Sequence, residues 1–141
     1  MAKGVATLIR VNEFNVDERR RELGARLKEL DDLEAALERL EKEVVDEQRT
    51  ATAQPEMAGF IYGAYASSVI HRREQFQFAI TSKQQEVSVA REALSDAYHE
   101  LKKYEVFHEN QQRKEVEEQA SKDQVELDEV GVHSRNFHKR Q

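Results

Sequence analysis

The feature that most constrains this chain is a seven-residue repeat of apolar side chains. Ile9, Val16, Leu23, Leu30, Leu37, Val44 and Ala51 share one phase, and Leu27, Leu33 and Leu40 flank it at coiled-coil offsets. In the segment LKELDDLEAALERLEKEVV (27–45) nearly everything off that line is charged. Such a helix is too narrowly apolar to fold alone and needs a second helix to cover the line. Gly24 lies inside the repeat, where it costs about 1 kcal/mol relative to Ala. It marks either a close approach or a weak point.

The repeat stops at TATAQPEMAG, which holds the only proline, Pro55. Proline lacks an N–H and suits the first turn of a new helix better than the middle of an old one. A connection at about 53–57 follows, and short helix–helix connections join antiparallel neighbours. A second helix is predicted over about 58–130. Tyr62, Val69 and Phe76 are spaced by seven; Ile80, Val87, Leu94 and Leu101 follow four residues on, with Ala90, Ala97 and Tyr104 as companions. Gly131 can take the left-handed conformation after Val130, letting Val132 touch Leu127 in a helix-ending cap. Residues 131–141 then form a basic tail.

Folding the chain near residue 55 pairs residues whose numbers sum to about 110, as antiparallel coiled-coil geometry requires. Leu40 meets Val69, Leu33 meets Phe76, Leu30 meets Ile80, Leu23 meets Val87, Val16 meets Leu94 and Ile9 meets Leu101. The two stripes come into register with no adjustment. The predicted fold class is therefore all-α: a long antiparallel two-helix coiled-coil hairpin, one domain over 1–141, with its first arm at about 8–52. The second arm is longer. From Phe107 to Val130 it has no partner, and its apolar positions are sparse: Val116, Ala120, Leu127 and Val130, with Asp123 interrupting.

Composition agrees with long exposed helices. Charged residues make up 35%, against about 25% in a typical globular domain, and there is no Trp. No Cys is present, which excludes disulfides and thiolate metal sites. The start MAKGVATLIRVNEF lacks the h-region of a signal peptide, and no apolar run approaches the roughly 18 residues of a membrane span. The net charge of −6 argues against nonspecific nucleic-acid binding.

Catalytic chemistry finds no support in the residues. The five glycines form no phosphate-binding loop, so nucleotide hydrolysis by the chain alone is not expected. His71, His99, His108, His133 and His138 include no i, i+4 pair and lack metal-ligand spacing. A two-helix hairpin also offers no enclosed pocket for a paired acid and base. No cofactor is expected.

Three segments stand out. GFIYGAYASSVIHRREQFQF (59–78) concentrates Phe60, Ile61, Tyr62, Tyr65, Val69, Ile70, Phe76 and Phe78, about half of which can face the first helix. The rest either stiffen the hairpin end or form a docking patch, since Tyr and Phe are favoured in interface cores. Gly59 and Gly63 form a GxxxG whose ordinary meaning is close helix approach. Arg19, Arg20 and Arg21 are either a solvated face paired with acids of the second helix or a cluster that touches an acidic partner. The strip KEVEEQASKDQVELDEV (114–130) reads as a solvated acidic helix. The tail HSRNFHKRQ is a charged frayed end or a docking site.

The order of these features resembles the FliJ family of flagellar export proteins. The stretches IRVNEFNVDERRRELGARLKELDDLEAALERLEKEV, FIYGAYASSVIHRRE, AREALSDAYHELKKYEVF and KDQVELDEV carry the resemblance, from about Leu8 to Val130. No single motif is diagnostic; order and length are. The resemblance implies an antiparallel two-helix coiled coil, similar in shape to the central-stalk subunit of rotary ATPases. It implies a non-enzymatic role in type III protein export, in the cytoplasm and peripherally associated with the inner face of the cell membrane. Implied partners are the flagellar export ATPase hexamer, the export gate transmembrane protein and export chaperones, with no nucleic acid and no direct membrane insertion. The helix ends would enter the ATPase ring, and the overhang fits that end. A gate-binding face near the turn, carried onto this chain, would include Val44, Gln48, Tyr65, Val69, Arg72 and Phe76. Arg72 departs from the small or aromatic residues of the family face. Towards the open end, Arg19, Arg20, Arg21, Val116, Ala120 and Leu127 are the candidates. Two other readings stand beside this one: the stalk protein of a virulence-type secretion system, and a generic self-associating coiled-coil spacer.

Overall fold

The structure, a computed structural model, describes the backbone of residues 2–53 and 55–139 and the side chains of 4–53 and 61–135. Its described residues form two helices, α1 (Ala2–Ala53) and α2 (Pro55–Lys139). Pro55 is the first residue of α2, where its missing N–H leaves no gap in the helical hydrogen bonds. The side chains of Gln54 to Phe60, which include the first glycine of the GxxxG, lie outside the described residues, as do Arg140 and Gln141.

The chain divides into two compact units. One is Asn15–Ala97, a helical hairpin built from the parts of α1 and α2 nearest the turn. Its seam is the apolar repeat. Val16, Leu40, Val69, Val87, Ala90 and Ala97 are buried, Leu40 with only 1% of its surface exposed. Leu23, Leu27, Leu30, Leu33, Leu37, Val44, Tyr62, Phe76, Ile80 and Leu94 are half-buried between them. A two-helix seam always leaves its side chains wet on the flanks, so half-burial is the normal state of a coiled-coil core position. Each well-covered Leu or Val contributes about 1.5–3 kcal/mol before chain entropy is counted.

Gly24 and Gly63 also lie in this unit, and a Cβ at either would meet no atom within 4 Å. Neither glycine serves a close approach. Gly24 is a tolerated weak point of α1.

The second unit combines residues 1–14 with residues 98–141. Val5, Ala6, Ile9 and Asn12 are half-buried on α1, and Leu101, Tyr104, His108 and Gln111 on α2. The α2 positions keep the four–three spacing of the seam. From Gln112 to Arg135 every side chain is exposed.

Two boundaries differ from expectation. The first arm starts at Ala2, not near residue 8, so contact with α2 continues to Gln111 and the uncovered strip begins at Gln112 instead of Phe107. The cap at Gly131 is not formed: α2 runs on to Lys139, and among the described residues no glycine has positive φ. Glycine permits the left-handed turn but does not force it. With no neighbouring element to hold Val132 against Leu127, continuing the helix keeps its backbone hydrogen bonds.

Candidate functional site

Ion pairs decorate the flanks of the Asn15–Ala97 hairpin, and among the described residues three cross from arm to arm. Arg73 donates from Nε to Glu41 Oε1 at 2.6 Å and from Nη2 to Glu41 Oε2 at 2.8 Å. Lys83 Nζ donates to Glu29 Oε2 at 2.7 Å and also lies 2.5 Å from Glu86 Oε2. Arg72 Nη1 lies 3.2 Å from Glu43 Oε2. In each pair the acid is on α1 and the base on α2. The residue numbers overshoot the seam sum of about 110 by two to five, for a geometric reason: helical side chains lean towards their own N-terminus. In an antiparallel pair both tips therefore fall short of their Cα level, and meeting tips carry higher numbers.

These contacts set the titration of the groups involved. The hydrogen bond from Lys83, helped by the Arg26 and Lys83 charges, holds Glu29 below its ordinary value against the opposing effect of burial. Arg73 does the same for Glu41. Lys83 is raised in turn by its hydrogen bonds to Glu29 and Glu86.

The residues expected to form a face near the turn all lie in this unit. Tyr65 and Phe76 are half-buried, Val44 is half-buried on α1, and Gln48 is exposed. Val69 is buried, at 4% exposure, so it belongs to the seam and not to an exposed face. Arg72 shares a shallow groove with Leu33, Gln75, Phe76 and Ala79 while reaching Glu43. The Tyr62 and Tyr65 rings lie 6.3 Å apart at 44°. The Tyr65 hydroxyl is buried with no hydrogen-bond partner, and burial, followed by the charges of Glu43 and Glu47, raises its pKa. Ile61, Ile70 and Phe78 point outward, at 66%, 56% and 76% exposure. Sequence reasoning missed Glu41, Glu43 and Arg73, whose flank positions look like any other charge on a coiled coil.

Arg19, Arg20 and Arg21 are exposed. Arg20 pairs with Asp17 and Arg21 with Glu18, one turn back on α1. Arg19 borders a shallow groove with Glu22, Arg26, Val89 and Ala93. In the other unit, Val116, Ala120 and Leu127 lie on the uncovered strip. Among the described residues no helix is long and apolar enough to cross a membrane, and no cluster of His, Asp and Glu is placed to hold a metal ion.

A helical hairpin with ion-paired flanks and a bare helical strip defines an all-α coiled-coil protein that presents helix faces. Comparison with known proteins specifies the kind. The sequence model described as "Flagellar FliJ protein" matches residues 3–141. The "Flagellar FliJ protein" of Caulobacter vibrioides strain NA1000 is 34% identical over 109 residues, covering 74% of this chain and 75% of the relative. The protein of the same name from strain ATCC 19089 matches equally. No solved structure matches. The chain belongs to the FliJ family of flagellar proteins, and that membership supports a role in flagellar export.

Proposed function

We propose that the chain is a non-enzymatic component of flagellar protein export that joins an export ATPase ring to an export gate and escorts export chaperones. One observation carries this reading beyond family membership: the chain offers two different kinds of surface. The face of Tyr65, Arg72 and Phe76 is braced by a buried seam and ion pairs, whereas the strip from Gln112 to Arg135 has nothing against it. A braced face suits one stable partner. A bare helix of that length gains its stability from what covers it, since an isolated helix is marginal in water. We assign the strip to the ATPase ring and the braced face to the gate, which places the protein on the cytoplasmic side, peripheral to the membrane.

A pull-down with purified export ATPase tests the assignment. The full chain is expected to bind, and a chain ending at residue 106 is expected not to. Equal binding by both would remove the strip from the reading. Replacing Leu30 and Leu33 with Gln would melt the seam and abolish coupling; undiminished stimulation of the ATPase by that variant would contradict it.

The second reading, a self-associating spacer, would use the exposed apolar side chains of the strip but would set acid against acid there. It requires a stable homodimer, which sedimentation equilibrium would reveal.

A further inference from the structure

The apolar line of the strip does not continue the hairpin seam. The half-buried seam positions Leu101, Tyr104, His108 and Gln111 extend by the same spacing to Glu115, Glu118, Lys122, Val125, Glu129 and Val132, a mostly charged series. Val116, Ala120, Asp123, Leu127 and Val130 form a separate line at four–three–four–three spacing, all exposed, with Val116, Leu127 and Val130 at 68%, 66% and 66%. At 100° per residue this second line is rotated about 150° from the seam around α2. It faces away from the side that α1 covers.

Asp123 occupies the middle of that line, at a position where a hydrophobe would continue it. It accepts a hydrogen bond at Oδ1 from Gln119 Nε2, at 3.1 Å, on the same helix. A carboxylate covered in an apolar seam is strongly unfavourable unless a cation meets it. The surrounding charge points the same way: residues 117–130 hold six acids and one base, Lys122. A second copy laid antiparallel on this line would bring acid against acid and Asp123 close to its own equivalent. The face therefore fits a basic partner and repels itself.

We propose that Val116, Ala120, Leu127 and Val130 dock into an apolar groove of a protein partner, that a cationic side chain of that partner meets Asp123, and that the partner approaches α2 from the side opposite α1. The proposal rests on the reading of the export ATPase as the partner of this strip and adds the face, the charge and the direction of approach.

Photo-crosslinkers placed singly at 116, 127, 118 and 122 of the full chain, mixed with purified export ATPase, test it. Crosslinks are expected from 116 and 127 and not from 118 and 122. Asp123→Asn should weaken binding about tenfold, as loss of a desolvated interfacial charge does, whereas Glu118→Gln should change it less than about twofold. Circular dichroism of each variant verifies that the helix is retained. Wild-type binding with crosslinks from 118 and 122 would overturn the proposal and leave the ring assignment standing. Equal effects of the two substitutions would do the same. Crosslinks between copies of this chain, or no wild-type binding at all, would overturn both.

Discussion

Arg73 on α2 holds Glu41 on α1 in a two-point grip, with Nε and Nη2 each donating to a different carboxylate oxygen. The planar guanidinium matches the carboxylate in a way that a single ammonium cannot. Arg73→Lys should therefore lose most of what Arg73→Ala loses. Both should lower the melting temperature by only a few degrees, because the pair is partly solvated. Thermal denaturation of the two variants, with Glu41→Gln alone and in combination, checks this; strictly additive losses would show that the pair contributes nothing.

Stability should fall on both sides of neutral pH. Glu29 and Glu41 titrate below their ordinary value of 4.5, mainly because Lys83 and Arg73 hydrogen-bond their charged forms. Their contribution is complete above that value and is lost as pH falls through the lowered folded-state values. Lys83 is raised above 10.5, so its contribution is complete below 10.5 and is lost as pH rises through its folded value. Urea unfolding from pH 3 to 11 is expected to show a central plateau. Glu29→Gln combined with Glu41→Gln should flatten the acid limb selectively.

Core and strip leucines should separate stability from binding. Leu40 is 1% exposed and Leu127 66%. Leu40→Ala should destabilise by about 2–5 kcal/mol through lost burial and the cavity left behind. Leu127→Ala should leave unfolding nearly unchanged and weaken capture of the export ATPase. Denaturant melts paired with a pull-down read both quantities.

Gly24→Ala should stabilise the hairpin by about 1 kcal/mol, since a Cβ there meets open space and alanine is the better helix former. A rise in melting temperature with unchanged ATPase capture is expected. A fall would mean that something packs against this glycine.

Much of the fold was legible because one period governs it. The seam positions from Ile9 to Ala51 and from Tyr62 to Tyr104 all turn out buried or half-buried. The apolar repeat specifies them, and Pro55 specifies where the chain turns. The flank pairs were not legible, because Glu29, Glu41 and Glu43 each had several bases within reach and only the lean of the side chains chooses among them. The two ends were misplaced for a related reason. The apolar repeat does not mark where a helix stops beyond it, so α1 begins as early as Ala2 and α2 runs past Gly131 to Lys139. Of the candidate docking residues, Val69 was placed on the docking face by the resemblance although the apolar repeat already paired it with Leu40, and it is buried.

The two arms pair antiparallel within one molecule, and a numbering sum of about 110 sets Glu34 and Gln77, both exposed, at matching levels of the hairpin. The chain has no native cysteine, so single cysteines at these two sites can carry spin labels without further changes. Pulsed electron resonance on the doubly labelled chain, diluted in unlabelled protein, measures their separation directly. Helix axes 8–10 Å apart predict one narrow distribution below about 25 Å; a distribution centred beyond about 40 Å, or short distances that vanish on dilution, would contradict the hairpin.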